Sequence, residues 1–297
     1  MKKHIAAVLT AGALWGLMGL FTRSLAQFGI SSTGAILLRC GVAALCFGIT
    51  AAVTDPKQFR VKLKDIWCFI GSGICSLLFF TYCYFEAITR MSLSTAAILL
   101  YTAPTIVMLL SALFFKEKIT PIKLAALVMA FAGCCLVSGL GQGENALSLG
   151  GLLFGLGSGV GYALYSIFAR CALNRGYHSN TINFYSCLLA ALGSAVIWGV
   201  KEPVHALTGS WQTLLLSLAM GAVSCYLPYL FYTYSLTGLE TGRASILSSF
   251  EPVVATLVGI IVFREKLTLM SAAGVLCVLG AVVLLNLRQK AKTTEKT

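Results

Sequence analysis

The chain has 297 residues; 58% are apolar, only 11% are charged, and the formal net charge is +12. An ordinary soluble domain carries about 25% charged residues, so this composition excludes a water-soluble globule and points to a bilayer as solvent. The positive charge needs no nucleic-acid partner, because a positive-inside bias and attraction to anionic lipid head groups account for it.

Ten apolar runs follow one another, near residues 5–27, 34–54, 66–88, 92–115, 122–141, 148–172, 180–200, 211–236, 242–263 and 269–287. Each is close to the roughly 20 residues that a spanning helix needs. Their continuous apolarity excludes a β-barrel, whose strands alternate over about ten residues. The first run is too long for a signal peptide and no cleavage-like site follows it, so it is expected to be retained. It carries Trp15 and the pair Gly12 and Gly16, a spacing that lets helix backbones approach closely. The second run carries Arg39 and the third Glu86. They fall at similar depth and are expected to pair, either as a self-compensating ion pair or as an outer gate; a carboxylate-binding role for Arg39 is the alternative. The loops are short, Asp55 to Asp65 and Lys201 to Ser210 being the longest, and the first is a candidate for a short amphipathic interfacial piece. The fourth run contains Ala96-Ala97-Ile98-Leu99 and Pro104 and ends in Phe115-Lys116-Glu117-Lys118-Ile119-Thr120.

After the fifth run a polar, Gly-containing stretch, Gly139 to Ser148, reads as a hinge. The sixth run then echoes the first. Trp15, Phe21 and Arg23 line up with Tyr162, Phe168 and Arg170, and Gly151, Gly155 and Gly159 extend the small-residue spacing. Gly157 to Gly161 lies inside a span, follows no strand and precedes no lysine, so it is not a phosphate loop. The ninth run completes the repeat. Ala244-Ser245-Ile246-Leu247, Pro252 and Phe263-Arg264-Glu265-Lys266-Leu267-Thr268 repeat the fourth run's landmarks 148 residues later, as from 115 to 263. Internal duplication in a polytopic chain is the mark of a secondary transporter with its site at the repeat interface.

The expected fold is therefore an all-α integral membrane protein. Ten transmembrane helices form two repeats, 1–141 and 148–287, joined by a hinge at 142–147 and followed by a tail at 288–297. An odd number of helices per repeat inverts the second relative to the first. With the N-terminus in the cytoplasm, sixteen Lys and Arg residues fall in inside loops against five outside, and Arg39 lies within a span. Both termini are then cytoplasmic, in the inner (plasma) membrane. The eleven cysteines form no CxxC pair and lie mostly within the runs, as small apolar packing residues do.

At this point the chain resembles the drug/metabolite transporter superfamily, EamA type. The resemblance rests on Leu38-Arg39, Tyr101-Thr102-Ala103-Pro104, Phe115-Lys116-Glu117-Lys118, Glu251-Pro252-Val253-Val254-Ala255 and Phe263-Arg264-Glu265-Lys266, in that order and at duplicate spacing. It covers essentially the whole chain. It implies a carrier with a central cavity lined mainly by spans 1, 3, 4, 6, 8 and 9, and it implies no particular substrate.

Glu251 is the outstanding residue. A carboxylate near the midplane costs about 2.5–3.5 kcal/mol on insertion scales, so such groups face a cavity or a partner. Pro252 beside it removes a backbone donor and opens the preceding turn. Glu251 suits a reversible proton carrier or the partner of a cationic substrate, with a structural anchor for the broken helix as the alternative. Its counterpart in the first half is Ala103. Trp15, Tyr82, Tyr101, Tyr162, Tyr165, Tyr229 and Tyr232 on the cavity spans offer stacking faces and hydroxyls to an organic solute, and Ser248 and Ser249 adjoin Glu251. No histidine pair has metal-ligand spacing, and no catalytic or nucleotide-binding motif is present. Energy must then come from a gradient. The expected function is secondary transport of a small organic metabolite such as an amino acid or drug-like solute, outward by expectation, with protons one candidate coupling ion. No enzyme activity, cofactor, metal or nucleic-acid partner is expected. Import or facilitated flux, a membrane-integral enzyme and a receptor or scaffold are the alternatives, and monomer and homodimer stay open.

Overall fold

A computed structural model describes residues 1–90, 93–138, 149–264 and 267–294. All regular elements among these residues are helical. Helix α1 (Lys2–Gly16) passes through a turn at Leu17 into α2 (Met18–Gln27), and α3 (Ser32–Thr54) returns. Ser31 Oγ caps α3 by accepting the Gly34 N–H at 3.1 Å. The third span is composite: α4 (Ile66–Ile70), a π-helical stretch (Gly71–Leu78) and α5 (Phe79–Ile88). The fourth is broken at Tyr101-Thr102 into α6 (Leu93–Leu100) and α7 (Ala103–Phe115), and α8 (Pro121–Val137) completes the first half. The second half repeats the plan with α9 (Leu149–Asn174), α10 (Ser179–Trp198), a short α11 (Lys201–Gly209), α12 (Trp211–Gly221), a second π-helical stretch (Ala222–Tyr226) and α13 (Leu227–Leu236). Then come α14 (Thr241–Ser248), α15 (Glu251–Phe263) and α16 (Leu269–Thr294).

Eight of these rods are long and apolar enough to cross a bilayer, and two shorter apolar helices, Pro121–Val137 and Leu269–Leu285, accompany them. The ten expected runs thus appear as eight full-length rods and two short helices. The expected hinge at 142–147 and the pair Glu265-Lys266 lie outside the described residues. Two further differences concern loops. Lys201–Gly209, expected as loop, is α11, with Glu202 in its first turn where an acid favours the helix dipole. Asp55 to Asp65 folds into two 3₁₀ turns, Pro56–Phe59 and Leu63–Asp65.

The duplication extends to backbone irregularities. The break at Tyr101-Thr102 answers the break at Ser249-Phe250, each followed by a proline at the second residue of the next half-helix. Lys116 and Arg264 end α7 and α15 in the left-handed region, with φ of 56° and 54°. The π-helical stretches fall at matching places in spans three and eight. Helix α16 lies along α8, with backbones pressed together where a Cβ on Gly133 or on Gly274 would sit 2.7 Å from the other's carbonyl oxygen.

Loop contacts sort the bundle into two ends. At the end that holds the start of α1 and the end of α16, Arg175 pairs with Asp65 at 3.1 Å and lies over the Trp67 ring, and the Tyr177 hydroxyl donates to Asp65 at 2.8 Å. Burial pushes the Tyr177 hydroxyl above its ordinary range. At the far end, Glu202 accepts from the Ser31 N–H at 2.5 Å and from its hydroxyl at 2.8 Å. Glu117, just after α7, bonds the first residues of α14, so the two broken spans run antiparallel.

Candidate functional site

The two breaks meet in the middle of the bundle, and glycines let them do so. A Cβ on Gly16 would meet the Glu251 carbonyl oxygen at 2.7 Å and Val254 Cβ at 2.8 Å; one on Gly12 would meet the Ser248 carbonyl oxygen at 3.0 Å. On the other side of the repeat, a Cβ on Gly159 would meet Thr102 Oγ1 at 2.6 Å and the Leu99 carbonyl oxygen at 3.0 Å. Helix α1 therefore lies directly on the break in the ninth span, and α9 on the break in the fourth. Breaking a helix frees backbone groups that a bilayer cannot solvate, so such breaks persist only where protein or a water-filled cavity covers them.

Two small clefts adjoin the breaks. One is lined by Leu100, Tyr101, Ala103, Pro104, Tyr162, Ser248, Ser249 and Glu251. The other is lined by Trp15, Ser76, Leu77, Phe80, Tyr162, Tyr165, Ser166, Tyr229 and Tyr232. Tyr162 is the shared wall. Trp15 sits at the centre of the second cleft, with ring centroids 5.4 Å from Tyr229 and from Tyr232 and 6.1 Å from Tyr162. A buried polar network holds these rings. The Tyr165 hydroxyl bonds Asn183 and lies 2.8 Å from Thr233 Oγ1, Asn183 Nδ2 donates to the Tyr229 carbonyl at 3.1 Å, and Ser166 and the Tyr232 hydroxyl are 2.7 Å apart. Asn183, Thr233 and Ser166 belong to this site and were missed in the sequence, where each reads as a lone polar residue inside an apolar run.

Glu251 is the first residue of α15 and half-buried, with its carboxylate beside Tyr101, Tyr162, Ser248 and Ser249. A carboxylate at a half-helix N-terminus is favoured by the helix dipole. Trp15, Tyr101, Tyr162, Tyr229, Ser249 and Glu251 thus come together as a group. Tyr82 does not join them. It is 40% exposed on the outer face and packs on Phe154 and Trp198, while Phe80, two residues earlier and on the opposite side of α5, faces the cleft.

The expected Arg39–Glu86 pair is not formed. Glu86 pairs with Arg90 one turn on, at 2.7 Å. Helix α3 packs on α10, α12 and the second π-helical stretch, whereas α5 packs on α9. Matching depth along two spans did not make them neighbours. Arg39 is buried, donates to Met18 Sδ at 3.0 Å and has no hydrogen-bond partner for Nε. Among the described residues no group of three His, Cys, Asp or Glu side chains is placed to hold a metal ion.

Comparison with known proteins agrees with this architecture. A model of the EamA-like transporter family matches residues 2–139 and again residues 149–287. Two proteins of Archaeoglobus fulgidus described as uncharacterized transporters are 29% and 27% identical, covering 96% and 92% of this chain and 96% and 95% of their own. The threonine/homoserine exporter RhtA of Escherichia coli K12 is 27% identical over 86% of this chain and 80% of its own. One crystal structure of a protein superposes with a TM-score of 0.82 at 18% identity, over 98% of this chain and 99% of that one, which establishes a shared fold.

Proposed function

The chain belongs to the EamA-like transporter family, and from that premise we propose that it is a secondary carrier of small organic metabolites, working by alternating access between two inverted five-helix repeats. The carrying observation is the meeting of two duplicated helix breaks around Glu251 and Tyr162. Discontinuous helices at a repeat interface are where carriers of this kind bind solutes. Glu251 takes either a proton or the ammonium group of a solute, and the Trp15 cluster packs the solute's apolar part. RhtA among the relatives makes small amino acids the first solutes to try and export the first direction to test.

The test is counterflow in proteoliposomes preloaded with unlabelled amino acids. A carrier gives saturable uptake of labelled solute that is stimulated by solute inside. Flux that does not saturate makes the protein a channel, and chemical conversion of the solute makes it an enzyme; either result overturns the proposal. Orientation belongs to the same proposal: the chain sits in the plasma membrane with both termini on the cytoplasmic side, a reading that the Lys and Arg placement supports.

A further inference from the structure

Half-helix α14 begins at Thr241, and Glu240 before it makes no side-chain cap. The first N–H groups of a helix have no partner within it. Here Thr241 and Gly242 donate theirs to the two carboxylate oxygens of Glu117, at 2.6 and 3.1 Å. Glu117 belongs to the other half of the chain and follows Lys116, the left-handed residue that ends α7. The surroundings hold the same junction. Lys123 Nζ lies 2.5 Å from the Glu240 carboxylate and donates to the Lys118 carbonyl at 2.8 Å. Arg170 Nε donates to Thr241 Oγ1 at 2.9 Å, and another of its N–H groups bonds the Leu239 carbonyl.

We propose that Glu117 is a latch that closes the terminal end of the bundle, holding α14 against α7 in one access state and releasing it in the other. This rests on the carrier reading above. A helix whose cap comes from its own flank keeps that cap wherever the helix moves. The cap on α14 comes from across the boundary between the two halves, so rocking one half against the other breaks both charge-assisted bonds together and hands four polar groups to water. Helix α14 also leads directly into Ser248, Ser249 and Glu251. Movement at its capped end is therefore movement of a wall of the cleft. Nothing in the sequence motif alone says this, since Phe115-Lys116-Glu117-Lys118 reads there only as a charged turn.

Hydrogen exchange read by mass spectrometry, on the full chain in nanodiscs without solute, tests the latch. In Glu117→Ala, exchange at Thr241 and Gly242 should rise about tenfold, the range expected for a lost cap. Exchange around Ser31, at the far end, should fall, because a carrier that opens at one end closes at the other. Glu117→Gln keeps the shape of the side chain and should show the same pattern more weakly. Lys123→Glu and Glu240→Lys should each mimic it, and the double swap should restore protection. Faster exchange at Thr241 and Gly242 with the far end unchanged in every variant marks a static cap and overturns the proposal, as does unchanged protection. A chain that performs counterflow without the reciprocal pattern overturns the latch alone. One that shows the pattern but carries no solute overturns the carrier reading alone.

Discussion

Gly16 and Gly19 sit one turn apart and differ in what a methyl group would meet. At Gly16 it would strike the Glu251 carbonyl oxygen and Val254; at Gly19 nothing lies within 4 Å. Gly16→Ala should cost about 1–3 kcal/mol, the usual penalty of overpacking, while Gly19→Ala should leave stability unchanged or slightly higher. Thermal unfolding of purified protein distinguishes them, and equal behaviour of the two variants contradicts the close packing of α1 on the break. The spacing of Gly12 and Gly16 was legible in the sequence as close approach; the partner was not. The same gap explains Arg39 and Glu86. Position along an apolar run gives depth, but not the direction in which a side chain points, and the pair failed on direction. A double-mutant cycle should accordingly find no coupling between Arg39 and Glu86, and about 0.3–0.5 kcal/mol between Glu86 and Arg90, as for other exposed pairs one helical turn apart. Tyr82 failed for the same reason, with Phe80 in its place.

At the scale of the element, the broken spans were half legible. Pro104 and Pro252 announced a disturbance in the fourth and ninth runs, and the duplicate spacing tied the two together. The left-handed turns that end α7 and α15 were not legible, because they are made by Lys116 and Arg264 where glycine is the usual residue. Nor were the π-helical stretches, which leave no mark on hydropathy. Helix α11 lay hidden because nine residues outside the apolar runs carry too little periodicity to stand out from a loop. The left-handed cap makes a clean test. Lys116→Val places a β-branched side chain at positive φ and should destabilise by about 1–2 kcal/mol more than Lys116→Gly does, measured by thermal unfolding. Equal stability of the two variants contradicts the left-handed assignment.

For the molecule as a whole, apolar runs, charge placement and duplication made the membrane class, the helical fold and the family readable in the sequence. The central cleft was only partly readable: the sequence showed which residue types were available, while packing decided which of them met. Loop contacts in the folded chain sort consistently into two ends, and a protease site added at the C-terminus should be protected in sealed right-side-out vesicles; cleavage there reverses the orientation. Under the proposed carrier function, Glu251, at the meeting of the two breaks, takes part in transport and is not merely an anchor. The most direct measurement is solute flux driven by a pH gradient in proteoliposomes, comparing the wild-type chain with folded Glu251→Gln protein. Gln keeps the shape and most of the hydrogen bonding but cannot ionise, so gradient-driven flux should vanish. Solute binding should survive if the group carries a proton and be lost if it pairs with an ammonium group. Wild-type flux from folded Glu251→Gln protein contradicts both.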